Sequence, residues 1–393
     1  MTAYLDHAAT TPMLPAAIDA MTEQLAVTGN ASSLHTLGRD ARRVVEESRE
    51  RIADAVGAAP SEVIFTSGGT EADNLAVKGT YAARLAADPA RRGIVVSGIE
   101  HHAILDPVEF LAAQGARVAF AEPDRLGVVT ADALRAAIGD TSEEVALISI
   151  MWANNEIGTI QPVAELTAVA REHGIPIHSD AVQAVGHIPV DFRASGLDLM
   201  SLSGHKLGGP IGVGALLARR DAVLVPQLHG GGQERQVRSG TLDVPAIRAL
   251  AVAVESSVAG LESESARQVA LRDDLIAGLH ALGLGLDVTG AWTPGSAGDR
   301  LPNNVHLRVP GADGDSLLFL LDAAGIACSA GSACSAGVPR PSHVVLALGT
   351  DPADARGVIR LTLGHTSTQA DVDAVLVALP AAVERARRAR GAA

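Results

Sequence analysis

The chain has 393 residues, of which 47% are hydrophobic and only 2% aromatic, so it can bury a large core and should form about two or three compact units. Its formal net charge of −14 and pI near 5.3 exclude a general basic surface, which argues against direct binding to nucleic acid or to anionic membranes. The N-terminus lacks the features of a signal peptide and no apolar run reaches the roughly 18 residues that span a bilayer, so we expect a cytoplasmic protein.

Short apolar runs alternate with amphipathic helical patterns along most of the chain. The predicted strands of this part are 63–66, 94–97, 118–120, 145–151, 175–177, 199–202 and 212–217, and the last of them is a candidate for an antiparallel strand. The predicted helices are 15–26, 36–56, 72–86 and a long helical stretch, 244–282. This alternation predicts an α/β fold with a mainly parallel sheet and right-handed crossovers, so side chains that follow the strands should meet at one edge.

The remainder of the chain predicts a smaller α/β unit. Its elements are a strand at 304–309, a helix at 315–324, a loop with the cysteines, a helix from 342, a strand at 358–363 and a last helix from about 369. We therefore expect a large domain over residues 15–255 and a small domain formed by residues 1–14 and 256–393. The sequence shows no internal repeats and no long low-complexity linker.

A glycine turn follows the first predicted strand, as Ser67-Gly68-Gly69-Thr70-Glu71. A strand, a glycine turn and a helix start together present several backbone N–H groups at a positive helix end, which forms a natural phosphate cup. Neither familiar nucleotide-binding signature is present at this turn. The alternative is an ordinary turn in which Thr70 caps the helix.

Lys206 lies at the end of a predicted buried strand, within Ser203-Gly204-His205-Lys206. An amine becomes a nucleophile toward carbonyl groups when desolvation or a neighbouring cation lowers its pKa, and a Schiff base is the usual product. The alternative is an ordinary lysine that extends to water from a strand end.

Other polar residues follow the remaining strands, and they should share the same edge of the sheet. They are His101, the run Asn154-Asn155-Glu156, and the run His178-Ser179-Asp180-Ala181-Val182-Gln183. The glycine-rich loop 230–241 has the composition of a loop packed against another surface, such as a neighbouring subunit.

Taken together, these segments resemble the cysteine desulfurases of the NifS and IscS type, in the class V aminotransferase group of pyridoxal-phosphate fold type I. The matching segments run in family order over nearly the whole chain: 4–12, 66–71, 100–102, 154–158, 178–183, 203–206, 238–241 and 330–334. The resemblance implies a large domain with a mainly parallel seven-stranded sheet, a smaller C-terminal α/β domain, and pyridoxal 5′-phosphate as cofactor. It also implies that L-cysteine is converted to L-alanine while sulfur passes to an enzyme cysteine as a persulfide.

The resemblance assigns a role to each polar strand end. Lys206 would hold the cofactor covalently and carry protons, Asp180 would keep the pyridinium nitrogen protonated, and His101 would stack on the ring and shuttle protons. The remaining cofactor contacts would come from Gln183 and Asn155 at the ring hydroxyl, and from Gly69, Thr70, Ser203 and His205 at the phosphate.

Substrate and partners are implied in the same way. Arg360 matches the residue that binds the substrate carboxylate through its planar fork, with Asn155 beside it. Thr241 matches a residue that reaches the phosphate of the other subunit, so a homodimer with shared sites is expected. The sulfur acceptors would be proteins such as an iron–sulfur scaffold or a tRNA-thiolating enzyme, or a DNA sulfur-modification system.

The two cysteines, Cys328 and Cys334, are too few for a disulfide framework and lack the neighbours of a structural zinc site, so no metal is expected. Cys334 lies in a loop of small residues, Gly331-Ser332-Ala333-Cys334-Ser335-Ala336-Gly337, and resembles the catalytic cysteine of the group with a long mobile loop. Cys328 follows a predicted buried strand, where a small apolar residue would serve equally well, so we interpret it as structural.

Three alternatives remain open at this point. A selenocysteine lyase or another class V aminotransferase would use the same fold and cofactor. A non-catalytic sulfur carrier or metal scaffold would use Cys328 and Cys334 but would leave Lys206 and Asp180 without a role.

Overall fold

The computed structural model describes residues 2–330 and 341–391. Its strands are β1 (Ala3–Tyr4), β2 (Val63–Thr66), β3 (Gly93–Ser97), β4 (Arg117–Ala121), β5 (Val145–Ser149), β6 (Ile177–Asp180), β7 (Leu199–Ser203), β8 (Gly214–Ala218), β9 (Asp287–Val288), β10 (Asn304–Arg308), β11 (Ile326–Ala327) and β12 (Val358–Thr362). Its α-helices are α1 (Pro15–Leu25), α2 (Thr36–Ala55), α3 (Gly69–Asn74), α4 (Thr80–Ala87), α5 (His102–Ala112), α6 (Ala131–Ile138), α7 (Val163–Glu172), α8 (Phe192–Ser195), α9 (Val244–Ala259), α10 (Leu261–Ala281), α11 (Gly314–Ala323), α12 (His343–Ala347) and α13 (Gln369–Gly391). A π-helical turn, Leu75–Gly79, joins α3 to α4.

The central element is a seven-stranded sheet with the order β2-β8-β7-β6-β5-β3-β4. Strands β4, β3, β5, β6 and β7 pair in parallel, whereas β8 is antiparallel to both of its neighbours, β2 and β7. The predicted fold class is therefore confirmed, including the antiparallel strand near residues 212–217. Since β8 reverses direction between two strands that run the same way, the carboxyl ends of β2, β6 and β7 lie at one edge.

Burial explains why these strands appear as short apolar runs. Every residue of β2, β5, β6, β7 and β8 is buried, as expected for a sheet that is covered on both faces. The largest hydrophobic cluster joins this sheet to α1, α2, α7 and α9, with members such as Val45, Leu202 and Leu250.

A second hydrophobic cluster lies around the C-terminal strands and helices. It contains side chains of α10, α11 and α13 together with Ala3 and Leu5 of the N-terminal segment. The antiparallel sheet β12-β10-β9 and the parallel pair β1-β11 belong to this region. Because β1 pairs with β11, the first residues pack with the last third of the chain; the domain boundaries at residues 14 and 255 stay a prediction.

Three elements differ from the prediction by a break or by more than two residues at one end. The stretch 244–282 forms two helices that meet at Gly260 with a bend of 70°. The helix predicted from residue 72 already begins at Gly69. The strand predicted at 175–177 begins at Ile177 and extends to Asp180, because its polar residues are buried and paired, which hydrophobicity alone does not reveal.

The length and apolar character of the helices in the described ranges bear on whether the chain could span a membrane. No single helix there is long and apolar enough to cross a bilayer, and the bent pair α9–α10 meets the criterion by length and composition only.

Candidate active site

A cavity of about 310 Å³ lies at the carboxyl ends of β2, β6 and β7. The residues that line it are Ala8, Ala9, Gly69, Thr70, Asp73, His101, Ala103, Met151, Asn155, Asp180, Val182, Gln183, Ser203, His205, Lys206 and Arg360. Nearly every residue that was predicted from the sequence to bind the cofactor or the substrate therefore lines this one cavity. Thr241 is absent from this lining, and Cys334 lies outside the described residues.

Lys206 closes a short 3-10 turn, Gly204–Lys206, directly after β7. Its Nζ donates hydrogen bonds to the carbonyl oxygens of Ala8 and Ala9, at 2.7 and 2.8 Å. A Cβ at Gly204 would lie 2.8 Å from the carbonyl oxygen of Pro210, so this turn requires glycine. The amine is therefore held inside the cavity, with two backbone acceptors, and is not extended to water.

The glycine turn after β2 begins α3 at the cavity wall. Gly68 is the N-cap residue, with φ +147°, and the Thr70 side chain makes no capping hydrogen bond. A Cβ at Gly69 would lie 2.8 Å from Cγ2 of Val182, so this close approach favours glycine. The alternative that Thr70 caps the helix is wrong, because Gly68 is the N-cap residue and Thr70 lies inside the first turn.

Asp180 and Gln183 lie on the cavity wall beyond β6. Oδ1 of Asp180 accepts a hydrogen bond from the backbone N–H of Val182 at 2.9 Å, and burial raises the pKa of its carboxyl to about 6, against the lowering effects of that hydrogen bond and of Lys206. Nε2 of Gln183 donates to the carbonyl oxygen of Ala8 at 3.0 Å. A positive group placed against Asp180 would stabilise the carboxylate form.

Two further carboxyl groups, Asp73 and Glu100, are buried beneath Asp180. Burial and the nearby charge of Asp180 raise the pKa of Asp73 well above its ordinary value, while a hydrogen bond to Ser201 opposes this shift. Burial raises the pKa of Glu100 to about 8, although Ser97 and the backbone of Met151 donate to it. Burial therefore favours the neutral form of both carboxyl groups.

His178, two residues before Asp180 on β6, is buried beside Asp73. Its ring nitrogens lie 2.9 Å from the hydroxyl oxygens of Ser149 and Ser201, and Nε2 lies 3.7 Å from Oδ1 of Asp73. Burial lowers the pKa of His178 to about 3. The ring is thus neutral, and its contacts with Ser149 and Ser201 link β6 to the neighbouring strands β5 and β7.

His101 and His205 face the cavity from opposite elements. His101 is the N-cap residue of α5, and its Nδ1 accepts from the N–H of Ala103 at 3.0 Å. Nδ1 of His205 lies 3.3 Å from the hydroxyl of Thr10. Burial, and then the charge of Lys206, lower the pKa of each imidazole to about 4, so both rings are neutral at physiological pH and can accept a proton or a hydrogen bond.

Arg360 enters the cavity from β12. Its Nη1 donates to the carbonyl oxygen of Asn155 at 2.9 Å, its Nη2 donates to Asp6 at 2.8 Å, and its buried Nε has no partner among the described residues. A planar guanidinium with an unused donor at a cavity wall is suited to a carboxylate ligand.

The loop 230–241 is anchored from beneath by a buried ion pair. Glu234 accepts from both Nη groups of Arg49 at 2.7 Å and from the N–H of Phe65 at 2.9 Å. Arg238 pairs with Glu71 of α3 at 2.8 Å. Thr241 lies exposed at the end of this loop, so its predicted role toward another subunit stays a prediction.

Cys328 follows β11 and is largely removed from solvent. Burial, followed by the charges of Asp6 and Asp322, raises the pKa of its thiol to about 12. Because the thiolate is the reactive form, Cys328 is a poor nucleophile in this environment.

Sequence reasoning missed several residues of the site. Asp73, the carbonyl groups of Ala8 and Ala9, and the ion pair from Asp6 to Arg360 were given no role. Asp73 was detectable in principle, because it lies four residues after Gly69 in one helical turn and hence on the same face.

The residues around the cavity fit the cofactor that the resemblance implies, pyridoxal 5′-phosphate. An amine for its aldehyde is present at Lys206, a buried carboxylate for its ring nitrogen at Asp180, and a glycine cradle at a helix start for its phosphate. The close approach at Gly69, which a Cβ would fill, is the structural observation that supports this fit.

Known proteins of one family are similar to this chain over nearly its whole length. The model of the aminotransferase class-V family matches residues 3–375. An "IscS-like cysteine desulfurase" of Mycobacterium tuberculosis is 58% identical over 392 residues, covering 100% of this chain and 98% of that protein. A solved "NifS-like protein" is 34% identical to this chain, with a TM-score of 0.87. The match covers 98% of this chain and 99% of the solved chain. A structure described as "SspA in complex with cysteine" is also 34% identical, with a TM-score of 0.79. That match covers 92% of this chain and 99% of the solved chain.

Proposed function

The chain belongs to the aminotransferase class-V family, and from that membership we propose how its own residues carry out a cysteine desulfurase reaction. It is a pyridoxal-phosphate-dependent cysteine desulfurase, and L-cysteine is its substrate. Within that activity, the residue roles, the sulfur acceptor and the assembly described below are our proposals. The observation that carries the residue roles is the single cavity in which Lys206, Asp180 and Arg360 face one another.

Cofactor binding is assigned to three groups of residues. Lys206 holds the aldehyde carbon and Asp180 holds the ring nitrogen, with His101, Gln183 and Asn155 around the ring. Gly69, Thr70, Ser203 and His205 hold the phosphate. When bound, the cofactor supplies an electron sink that makes the Cα proton of the amino acid acidic.

Lys206 moves the Cα proton. Its Nζ rests on the carbonyl oxygens of Ala8 and Ala9, so the released amine has a defined position beside the substrate. The neutral imidazole of His101, whose pKa burial and Lys206 lower to about 4, offers a further acceptor in the same cavity. Proton transfer by a group at hydrogen-bond distance contributes about 100- to 10,000-fold to a rate.

Arg360 orients the substrate. The guanidinium receives the α-carboxylate of L-cysteine, while Asp6 and the carbonyl of Asn155 fix the guanidinium plane.

Sulfur transfer is assigned to Cys334. Its thiolate attacks the substrate sulfur, the substrate C–S bond breaks, and a new S–S bond forms. The electron pair of the broken bond stays on carbon, which takes up a proton, so L-cysteine and the Cys334 thiol become L-alanine and a Cys334 persulfide. Cys328 is excluded from this role because burial raises the pKa of its thiol to about 12.

Partners and location follow as further proposals. The persulfide sulfur passes to an acceptor protein such as an iron–sulfur scaffold or a tRNA-thiolating enzyme, in a cytoplasmic enzyme. The chain works as a homodimer in which Thr241, exposed on the loop that Arg49 and Glu234 anchor, reaches the phosphate of the second site.

The test compares Cys334→Ala with Cys328→Ala, each loaded with cofactor. We measure L-alanine and sulfide formed from L-cysteine in the presence of a thiol reductant, together with the mass of the persulfide peptide after alkylation. Cys334→Ala should lose sulfide formation and the persulfide peptide while keeping the absorbance of bound cofactor. Cys328→Ala should retain both products, and the reverse pattern would refute the assignment.

A further inference from the structure

A second cavity, of about 400 Å³, lies at the opposite edge of the seven-stranded sheet, where β6 and β7 begin and β8 ends. Ile177 lines this cavity and Asp180, at the other end of the same strand, lines the candidate active site. At a rise of about 3.3 Å per residue, the two sites are about 10 Å apart along β6. Among the residues that the structure describes, none lines both cavities.

Three buried polar atoms at the second cavity have no hydrogen-bond partner among the described residues. They are Oγ1 of Thr80 and Nε of Arg84, from α4, and Oγ1 of Thr167, from α7. Thr80 and Thr167 are only 4% and 3% exposed, so bulk water does not satisfy their hydroxyl groups. Since buried polar groups are almost always hydrogen-bonded, three unsatisfied groups in residues that line one space are consistent with a ligand or an ordered water at this place.

The charges around the cavity favour an anion. Arg84, Arg171 and Arg219 line it together with Asp198 and Asp221. Arg219 is bound by Asp221 at 3.1 Å and lies 3.8 Å from Asp198, whereas neither Arg84 nor Arg171 forms an ion pair within the described residues. The lining therefore carries one more cation than anions, in a chain with a net charge of −14.

Asp198, one of the two anions in this count, is engaged within the fold. Its Oδ2 accepts from the backbone N–H of Ile177 at 2.9 Å, so that oxygen is already used by the strand. Burial raises the pKa of its carboxyl despite the nearby guanidinium groups of Arg219 and Arg171.

The fold leaves room for the guanidinium of Arg171. A Cβ at Gly196, which has φ +74°, would lie 2.5 Å from Nη2 of Arg171. A glycine at this position thus allows Arg171 to lie against the wall of the cavity. Guanidinium forks and hydroxyl groups together form the donor set that oxyanions prefer.

We propose that this second cavity binds a small oxyanion of the phosphate class, with Arg84 and Arg171 as cationic donors and the hydroxyl groups of Thr80 and Thr167 as neutral donors. The ligand is either free inorganic phosphate or the phosphate group of a small metabolite, because both present the same acceptor oxygens. The site is separate from the phosphate cup at Thr70, since it lies at the other edge of the sheet.

The test is calorimetric titration of the cofactor-loaded enzyme with inorganic phosphate, at an ionic strength held constant with sodium chloride. In the loaded enzyme the cofactor's own phosphate occupies the cup at Thr70. We expect saturable binding of one phosphate per chain, weakened tenfold or more by Arg84→Gln and by Arg171→Gln. Arg125→Gln removes an equal charge from an exposed loop and should bind phosphate as the wild type does.

Two further measurements complete the test. Titration with sn-glycerol 3-phosphate distinguishes the two kinds of ligand. Tighter binding of the ester than of inorganic phosphate identifies a metabolite, and tighter binding of inorganic phosphate identifies the free ion. Thr80→Val keeps the shape of the side chain and should weaken phosphate binding at least threefold without lowering the melting temperature, because it removes an unpartnered hydroxyl. The proposal is overturned if the wild type shows no saturable binding up to about 10 mM, or if Arg84→Gln, Arg171→Gln and Thr80→Val all bind phosphate like the wild type.

Discussion

Oδ1 of Asp6 lies 2.8 Å from Nη2 of Arg360, and this ion pair connects the segment after β1 to the middle of β12. Arg360 is buried, and its other Nη group is bound to the carbonyl oxygen of Asn155. Two anchors therefore fix the guanidinium plane before any substrate arrives. Pre-organisation of this kind lowers the entropy lost on binding a carboxylate.

Arg360→Lys should raise KM for L-cysteine about 10- to 100-fold, with a smaller change in kcat. Lysine keeps the charge but loses the planar fork, and a hydrogen bond to a charged group contributes about 1.5–3 kcal/mol. The measurement is steady-state alanine production as a function of L-cysteine. The matched control is Arg308→Lys. Arg308 lies on the adjacent strand β10, and its partners Asp287 and Asp354 are at the surface. An unchanged KM in Arg360→Lys would contradict the substrate role.

Glu100→Gln should change how stability depends on pH. Burial raises the pKa of Glu100 from 4.5 to about 8, so the folded state binds a proton that the unfolded chain releases between these values. Its contribution to stability is therefore complete below about pH 4.5 and is lost as the pH rises through about 8. Glutamine cannot ionise, so the free energy of unfolding of Glu100→Gln, relative to wild type, should rise by roughly 2–4 kcal/mol from pH 5 to pH 8.5, at about 1.4 kcal/mol per pKa unit.

Urea unfolding of the two proteins across this pH range gives the comparison. Glu109→Gln, at an exposed position of α5, is the matched substitution at the surface. If the difference between Glu100→Gln and wild type were constant with pH, the buried carboxyl would not be protonated in the native state.

The buried pair of Arg49 and Glu234 should be strongly coupled in stability. Arg49→Met leaves the carboxylate of Glu234 buried without its cation, and losing one partner of such a pair costs about 3–5 kcal/mol. Adding Glu234→Gln removes that charge and keeps an acceptor for the N–H of Phe65. The double variant should therefore unfold at a higher urea concentration than Arg49→Met alone.

A surface pair supplies the control for this measurement. Arg51 and Glu255 are separated by 3.4 Å and are more than one-third exposed, so Arg51→Met should cost less than about 1 kcal/mol. If the double variant at positions 49 and 234 were less stable than Arg49→Met, the ion pair would not be what anchors the loop 230–241.

Much of the site follows from one pattern in the sequence. Polar residues at the ends of apolar strands, such as Asp180 and Ser203, converge because parallel strands end at a common edge. The antiparallel strand β8 does not disturb this convergence, since β2 and β7 on either side of it run in the same direction. Strand ends and a glycine turn were therefore enough to locate the cavity.

The features of the site that were not predicted depend on contacts between residues far apart in the sequence. Asp6 and Arg360 are 354 positions apart, and no local pattern joins them. Asp73 and Glu100 carry a type of side chain that usually lies at the surface, but both are buried in the fold, and burial is the main cause of their raised pKa values. The polar strand β6 was misjudged for the same reason, because His178 and Ser179 are buried by packing that hydropathy does not describe.

The most direct test of the account is the identity of the amine that holds the cofactor. The sequence contains two lysines, Lys78 and Lys206, and Lys78 lies with its Nζ 4.7 Å over the ring of Phe110, outside the cavity. Borohydride reduction of the loaded enzyme, followed by peptide mass spectrometry, should place the pyridoxyl mass on the peptide with Lys206, and Lys78→Arg should not change this result. Labelling of Lys78, or an unlabelled Lys206 peptide from an enzyme that still converts L-cysteine to L-alanine, would contradict the proposed site.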